Sequence, residues 1–315
     1  MENTNRTYRF IVNPIAGRGA GALALPEIES FAHSHNIAFD IIQTERPGHA
    51  IELARDAVAA ERNVVVAVGG DGTANEVLNG LMLARHAGLT GTTMGLLSIG
   101  RGNDFAYWMG IPQGLEAGLQ TLLQNSIREV DVGRVTGGLY PNGRYFGNGV
   151  GIGFDAVVGF EALKLKRLHG FVNCLVAALK TIFLYFHAPR MHIQIDGETI
   201  IQPSLMVSIM NGRRMGGGFM MAPTASPEDG LFDLCIAGQV SRLGILGLIP
   251  RFMKGTQATH PAIKTRQSRA VHVVTLEGVL PAHADGETLC TEGRELTIEL
   301  LPGQLEIISQ SAKTL

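Results

Sequence analysis

No long apolar run occurs in this sequence. The longest, FVNCLVAALKTIFLYF from Phe171 to Phe186, is interrupted by Asn173 and Lys180 and falls short of the ~20 residues that span a bilayer, so no transmembrane helix is expected. The opening MENTNRTYRF is polar and lacks the hydrophobic core of a signal peptide, which argues against export and leaves the Asn5-Arg6-Thr7 sequon without meaning. Cysteine is scarce. Cys174, Cys235 and Cys290 are far apart, odd in number and without CxxC or Cys/His spacing, which excludes a disulfide framework and a zinc site and fits a reducing cytoplasm. Neither sign of charge dominates: the formal net charge is -2, so there is no basic field for nucleic acid and any phosphate recognition must be local. GxxxxGK[ST], HExxH and GxSxG are all missing, leaving Walker, zinc-hydrolase and serine-hydrolase readings without support.

Glycine is what abounds, at 40 of 315 residues, nearly twice the roughly 7% usual share. With 45% apolar and 17% charged residues, the chain can bury a sizeable core and is long enough for two domains. The first half alternates apolar runs with helical patterns, which predicts parallel strands joined by crossover helices. Strands are expected at Tyr8 to Asn13, Ala38 to Gln43, Val64 to Val68 and Met94 to Ser98. Helices are expected at Ala20 to His35, Gly48 to Ala60, Ala74 to about His86 and Gly114 to Gln124. From Glu129 short strands separated by Gly, Pro, Asn and Asp turns predict an antiparallel sandwich or barrel, interrupted by helical stretches Asp155 to Phe186 and Ser241 to Lys254. The expected division is an α/β domain over 1-131 and a β-rich domain over 132-315, whose last strand can return to the first domain.

Glycine clusters follow the carboxyl ends of strands, the edge where open α/β sheets bind ligands. GRGAG, Gly17 to Gly21, imitates a dinucleotide fingerprint but lacks its third glycine. GGDGTAN, residues 69 to 75, ends a buried strand on two glycines and a carboxylate. A helix N-terminus there supplies amides for phosphate, and Asp71 is the oxygen ligand that Mg2+ takes. Asn75 and Glu76 either satisfy first-turn amides or touch a ligand. The next strand ends on Gly100-Arg-Gly-Asn-Asp-Phe105, a second close backbone approach with a second carboxylate, Asp104. In the second half, Ser226-Pro-Glu-Asp-Gly-Leu-Phe-Asp233 and Ala284-Asp-Gly-Glu-Thr288 read as turns, and Asp196-Gly-Glu198 repeats the DGE pattern. Residue chemistry alone does not choose between Glu198 and Glu287.

Taken in order, IVNPIAGRG, TERPGHA, GGDGTANEVLNGL, GRGNDFA, FGNGVGIGFDA, NGRRMGGGFMMAPTASPEDGLFDL, KGTQATHP and HADGE make the chain resemble the diacylglycerol kinase catalytic domain family, in its soluble bacterial lipid kinase form. GGDGT alone is shared with NAD kinases and phosphofructokinases; the GND, GIGFDA and late DGE stretches favour lipid kinase. The resemblance implies a Rossmann-like, NAD kinase-like nucleotide domain, a β-sandwich domain and an active site in the cleft between them. It implies ATP as donor, Mg2+ as cofactor, a lipid acceptor, and Glu287 as general base with Asp71 on the nucleotide side. Nucleotide contacts would fall on Asn13, Thr44, Gly69, Gly70, Asp71, Gly72, Thr73, Ala74, Asn75, Arg101, Gly102 and Asn103. Metal would be held by Asp71 and Asp104, and structurally by Ser226, Asp229 and Leu231. Arg101 departs from the threonine of most relatives, which puts nucleotide preference in question. The rival readings are a kinase of a soluble hydroxyl compound such as NAD, and a weakly catalytic nucleotide-binding regulator. A lipid acceptor also suits a cytoplasmic protein that sits peripherally on the inner face of the membrane, and the basic-apolar stretch from Lys164 to Val172 reads either as an interfacial helix or as a core helix flanked by charge.

Overall fold

Two compact units divide the chain: one runs to Val130 and takes back the segment from Gly303, and the other is Asp131–Pro302. The structure, a computed structural model, describes residues 6–100, 102–165, 170–185 and 188–310.

In the first unit, apolar runs buried on both faces form a parallel sheet, as expected where helices cover each side. Its elements are β1 (Thr7–Val12), α1 (Ala16–Leu23), α2 (Leu25–Ser34), β2 (Ala38–Gln43), α3 (His49–Ala59), β3 (Val64–Gly69), α4 (Asp71–His86), β4 (Thr93–Ser98), α5 (Asp104–Met109) and α6 (Leu115–Gln124). Strand order is β2-β1-β3-β4, all parallel, with Phe10 level with Val66 and Val66 level with Gly95. Every residue of β3 and β4 is buried. The single helix expected from Ala20 to His35 is two, because Pro26 lacks the amide that would continue the ladder. Before it, Gly17, Arg18 and Gly19 are left-handed, with φ of 59, 65 and 93°. Helix α4 starts three residues earlier than the apolar period suggests, directly at Asp71.

The second unit contains β5 (Ile127–Gly137, its first residues in the first unit), β6 (Tyr140–Phe146), β7 (Gly149–Gly153), α7 (Phe154–Lys164), α8 (Gly170–Leu184), β8 (Arg190–Ile195), β9 (Glu198–Met210), β10 (Phe232–Gly238), α9 (Arg242–Lys254), β11 (Ile263–Ser268), β12 (Ala270–Thr275), β13 (Leu280–Ala284), β14 (Glu287–Gly293) and β15 (Glu295–Ile308). Strand β9 is long enough to serve two sheets. Its first half pairs with β8, which leads to β12 and β15; its second half pairs with β7 and β10, which lead to β13-β14 and β11. Val207 and Ile209 point into the core between the sheets with Ile193, Leu234, Val273 and Ile298. Their neighbours Met206 and Met210 point the other way, beneath α7, α8 and α9, with Phe154, Ile182, Ile245 and Phe252. This two-residue alternation is the strand's own geometry.

The stretch expected as one helix from Asp155 to Phe186 is α7 and α8; Lys166, Arg167, Leu168 and His169 lie outside the described residues. The stretches LTIELLPG and QLEIISQ, which Pro302 and Gly303 would divide into two of the short strands, form one, β15, which passes through Pro302 and a left-handed Gly303 (φ 58°) and continues beside β4, with Ile307 level with Met94.

Candidate active site

At the carboxyl edge of the first unit's sheet, β3 hands over to α4 within one residue. Gly70 is extended, Asp71 is the first helical residue, and the Ala74 amide is the first to reach back, to the Gly70 carbonyl at 3.1 Å. The first-turn amides before it have no acceptor within the helix, which makes this end suited to phosphate. Gly69 is required by space: a Cβ there would lie 2.4 Å from the Thr73 hydroxyl oxygen. That hydroxyl accepts a hydrogen bond from Asn13 Nδ2 (3.1 Å), and Asn13 Oδ1 accepts from the Ile15 amide (3.2 Å), so the end of β1 is tied to the same helix mouth. Thr44, half-buried after β2, donates its amide to the Val12 carbonyl at 2.8 Å.

The second glycine turn packs on the first. A Cβ on Gly100 would approach the Gly70 Cα to 2.7 Å, and one on Gly102 would approach Asp71 Oδ2 to 2.9 Å. Asp71 Oδ1 in turn accepts the Phe105 amide at 2.9 Å and so caps α5, while Asn103 before it is left-handed (φ 52°) and buried. The glycines that the sequence suggested would admit a ligand admit, first of all, each other. Half-buried Asp71 and half-buried Asp104 thereby share one edge with the amides of α4. Carboxylate oxygens suit Mg2+, which keeps several waters and needs only one or two carboxylates besides phosphate oxygens. No group of three His, Cys, Asp or Glu that could hold a metal by itself occurs among the described residues.

Of the other expected nucleotide contacts, Gly70, Gly72 and Gly102 are half-buried, whereas Ala74 and Asn75 are fully buried. Asn75 Oδ1 accepts from Asn79 Nδ2 at 3.2 Å. Glu76 belongs to a neighbouring helix: its carboxylate accepts the Gly48 and Ala50 amides at 2.8 and 3.1 Å, opening α3 rather than α4. Arg101 lies outside the described residues.

In the second unit, Glu287 follows a tight hairpin turn, Asp285 (φ 49°) and Gly286 (φ 85°), between β13 and β14. Such paired left-handed residues suit the twist of a two-residue hairpin. The turn is held from both sides. The Asp285 carboxylate accepts the amides of Gly147, Asn148 and Gly149 at 2.8, 3.0 and 3.0 Å, and the Asp285 amide donates to the Gly149 carbonyl at 3.0 Å. Buried His283 accepts the Gly286 amide at 3.3 Å, and its other ring nitrogen lies 3.6 Å from Asp155, whose second oxygen accepts Ser208 Oγ at 3.0 Å. Gly151 makes room for this group, since a Cβ there would lie 2.5 Å from Asp155 Oδ2 and 2.6 Å from His283 Nε2. Half-buried Glu287 makes no side-chain hydrogen bond or ion pair among the described residues.

Glu198 sits on a hairpin of the same construction, where Asp196 accepts the Arg269 and Ala270 amides at a longer 3.3 Å, but its side chain is 74% exposed and lies 3.9 Å from Arg266. Asp229 is exposed, its carboxylate accepting the Leu231 amide (3.0 Å), beside half-buried Ser226. Asp131 anchors this turn by accepting the Gly230 amide at 2.8 Å. Burial pushes the nearby Asp233 carboxyl above the usual range, against the hydrogen bonds of Gln267 and Thr224. Sequence reasoning singled out none of Asp131, Asp155, Ser208, His283 or Asp285. Asp285 alone adjoins a turn glycine, and the partners that define these residues lie far away in the chain.

Comparison with known proteins identifies both domains. Residues 7–135 match the diacylglycerol kinase catalytic domain, and residues 148–309 match the YegS C-terminal NAD kinase beta sandwich-like domain. A Chromohalobacter salexigens protein named "Probable lipid kinase YegS-like" is 31% identical over 86% of this chain and 83% of its own length. A Mycobacterium tuberculosis diacylglycerol kinase is 28% identical over 95% of this chain and 93% of its own length. The crystal structure of a diacylglycerol kinase from Bacillus anthracis superposes with a TM-score of 0.74, covering 98% of this chain and 97% of that one at 21% identity, which is a likeness of fold. With an α/β domain that ends its third strand on GGDGT and a β-sandwich domain of the matching kind, the chain belongs to the diacylglycerol kinase catalytic domain family and is a kinase.

Proposed function

We propose that this kinase transfers the γ-phosphoryl group of ATP to the hydroxyl of a lipid, diacylglycerol or a similar lipid alcohol, with Mg2+. The observation that carries the proposal is the joining of the two glycine turns, which sets Asp71 and Asp104 beside the amides opening α4 in a family whose relatives bear the names diacylglycerol kinase and lipid kinase. Phosphoryl transfer asks a protein mainly for positioning and charge neutralisation. The first-turn amides of α4, with Asn13, Thr44 and the Gly69 to Asn75 and Gly102-Asn103 stretches around them, bind and orient the nucleotide. Asp71 and Asp104 would hold Mg2+, which would supply charge neutralisation at the phosphates. Glu287, which has no side-chain partner among the described residues, accepts the proton of the attacking hydroxyl as the hydroxyl oxygen bonds to the γ-phosphorus and ADP leaves. A structural Mg2+ on Asp229, with main-chain oxygens of Ser226 and Leu231, would stiffen the turn that Asp131 already anchors.

Mass analysis after incubation with ATP, Mg2+ and, separately, diacylglycerol, a sphingoid base, phosphatidylglycerol, a polyprenol and NAD tests this reading. A phosphorylated lipid is expected. Phosphorylated NAD alone, or bound ATP with transfer to no acceptor, overturns it.

A further inference from the structure

Helices α8 and α9 each bury one apolar face and leave a second apolar face in water. Their buried faces meet the same cluster, Ile182 from α8 and Ile245, Leu248 and Phe252 from α9 packing with Met206 and Met210 of β9. On the other side of α8 stand Val172, Leu179, Phe183 and Leu184; Phe183 is 73% exposed and Leu184 58%. On α9 the exposed row is Leu243 (79%), Leu246 and Met253. The two rows are neighbours, because the Arg242 guanidinium lies 6.0 Å over the Phe183 ring. Single exposed apolar residues are ordinary, but adjacent rows on two helices are not, since a face that meets only water carries polar residues at those positions.

The charge on the two helices has one sign. Neither α8 (Gly170–Leu184) nor α9 (Arg242–Lys254) carries an Asp or Glu. Lys180, Arg242, Arg251 and Lys254 stand on the two helices themselves, and Lys180 shares the Glu161 carboxylate of α7 with Lys164. In a chain of net charge -2, the two helices thus set cations, and no carboxylate of their own, beside exposed apolar side chains. A second copy of the chain would bring cations against cations across this face. An anionic bilayer offers both complements, acyl chains for the apolar rows and headgroups for the cations.

From this we infer that the exposed faces of α8 and α9 are a docking surface for an anionic lipid bilayer, with Phe183, Leu184 and Leu243 entering the acyl boundary and Lys180, Arg242, Arg251 and Lys254 at headgroup level. The inference deepens the lipid-acceptor reading and rests on it for its purpose, since a lipid alcohol resides in a bilayer. Flotation of the full chain with phosphatidylcholine vesicles, and with vesicles enriched in phosphatidylglycerol, reads docking directly. Flotation with the anionic vesicles, weakened by salt, is expected. The double substitution Phe183→Ser with Leu243→Ser is expected to lower vesicle partition about tenfold or more. Both side chains are already in solvent, so the melting temperature and the turnover of a water-soluble short-chain diacylglycerol should not change. Absence of flotation with either vesicle, or equal flotation of the variant, overturns the inference. So does a wild-type dimer in sedimentation velocity that the same substitutions dissociate, which would make a second copy the occupant. Failure of the kinase reading looks different: vesicles bind as expected, but no short-chain lipid is phosphorylated.

Discussion

Replacing Asp285 by alanine removes the acceptor for three buried backbone amides, those of Gly147, Asn148 and Gly149, which it holds at 2.8 to 3.0 Å. An unsatisfied buried donor costs about 1 to 3 kcal/mol, and bonds to a carboxylate sit at the upper end. Water entering the space left by the side chain will recover part of this, so a total of about 3 to 5 kcal/mol is expected. For a unit of this size each kcal/mol lowers the melting temperature by roughly 2 to 4 °C. Asp196 provides the control on the twin hairpin, where two longer bonds of 3.3 Å hold exposed amides, and Asp196→Ala should cost about 1 kcal/mol or less. Denaturant melts followed by circular dichroism give the two free energies, and hydrogen exchange at the Gly147 to Gly149 amides localises the loss. Asp285→Asn keeps one acceptor oxygen and should fall between, folded at room temperature but slower in turnover because the Glu287 turn is loosened. Equal costs for Asp285→Ala and Asp196→Ala, or unchanged protection of the three amides, would refute the claim that Asp285 fixes the turn.

Further outcomes follow from the same reasoning applied elsewhere. Glu76→Ala should destabilise by about 1 to 2 kcal/mol through the α3 amides it caps while leaving ATP affinity by calorimetry unchanged; lost affinity at unchanged stability would return Glu76 to the ligand. Gly100→Ala puts a methyl 2.7 Å from the Gly70 Cα and forces the two turns apart, so kcat/KM for ATP should drop about tenfold or more with little change in melting temperature. Burial raises the Asp40 carboxyl, but hydrogen bonds and charge from Arg9 and Arg62 together outweigh it and hold the group below the usual carboxylate range. Its contribution is therefore present above the unfolded-state carboxylate range and lost as pH falls through the lower folded value. Asp40→Asn should be less stable than wild type at neutral pH, and the gap in denaturant midpoint should close in acid.

Much of this architecture was legible because its signals are local. The run from Val64 to Val68 followed by two glycines marks a buried strand and the turn that ends it, and β2 stands where its apolar run predicts, Ala38–Gln43. Helix α5 escaped because DFAYWM has too few turns for a period, and β11 escaped because IKTRQS is polar along most of its length. Pro302 and Gly303 read as a strand boundary, yet β15 tolerates them where it passes from one unit to the other. The site divides in the same way. The Asp71 and Asp104 turns announce themselves by glycine next to carboxylate. The DGE at Asp285 announces only a hairpin, because what distinguishes it from the DGE at Asp196 is a set of amides some 137 residues distant in the chain. No periodicity carries information over that span.

The central claim, a nucleotide seat at Asp71 and a base at Glu287 serving a lipid hydroxyl, is tested most directly by Glu287→Gln. Transfer of label from γ-labelled ATP to diacylglycerol, measured beside ATP affinity on the same preparation, should fall about 10²- to 10⁴-fold while affinity and melting temperature stay at the wild-type values. Undiminished labelling of the lipid by Glu287→Gln would contradict the account.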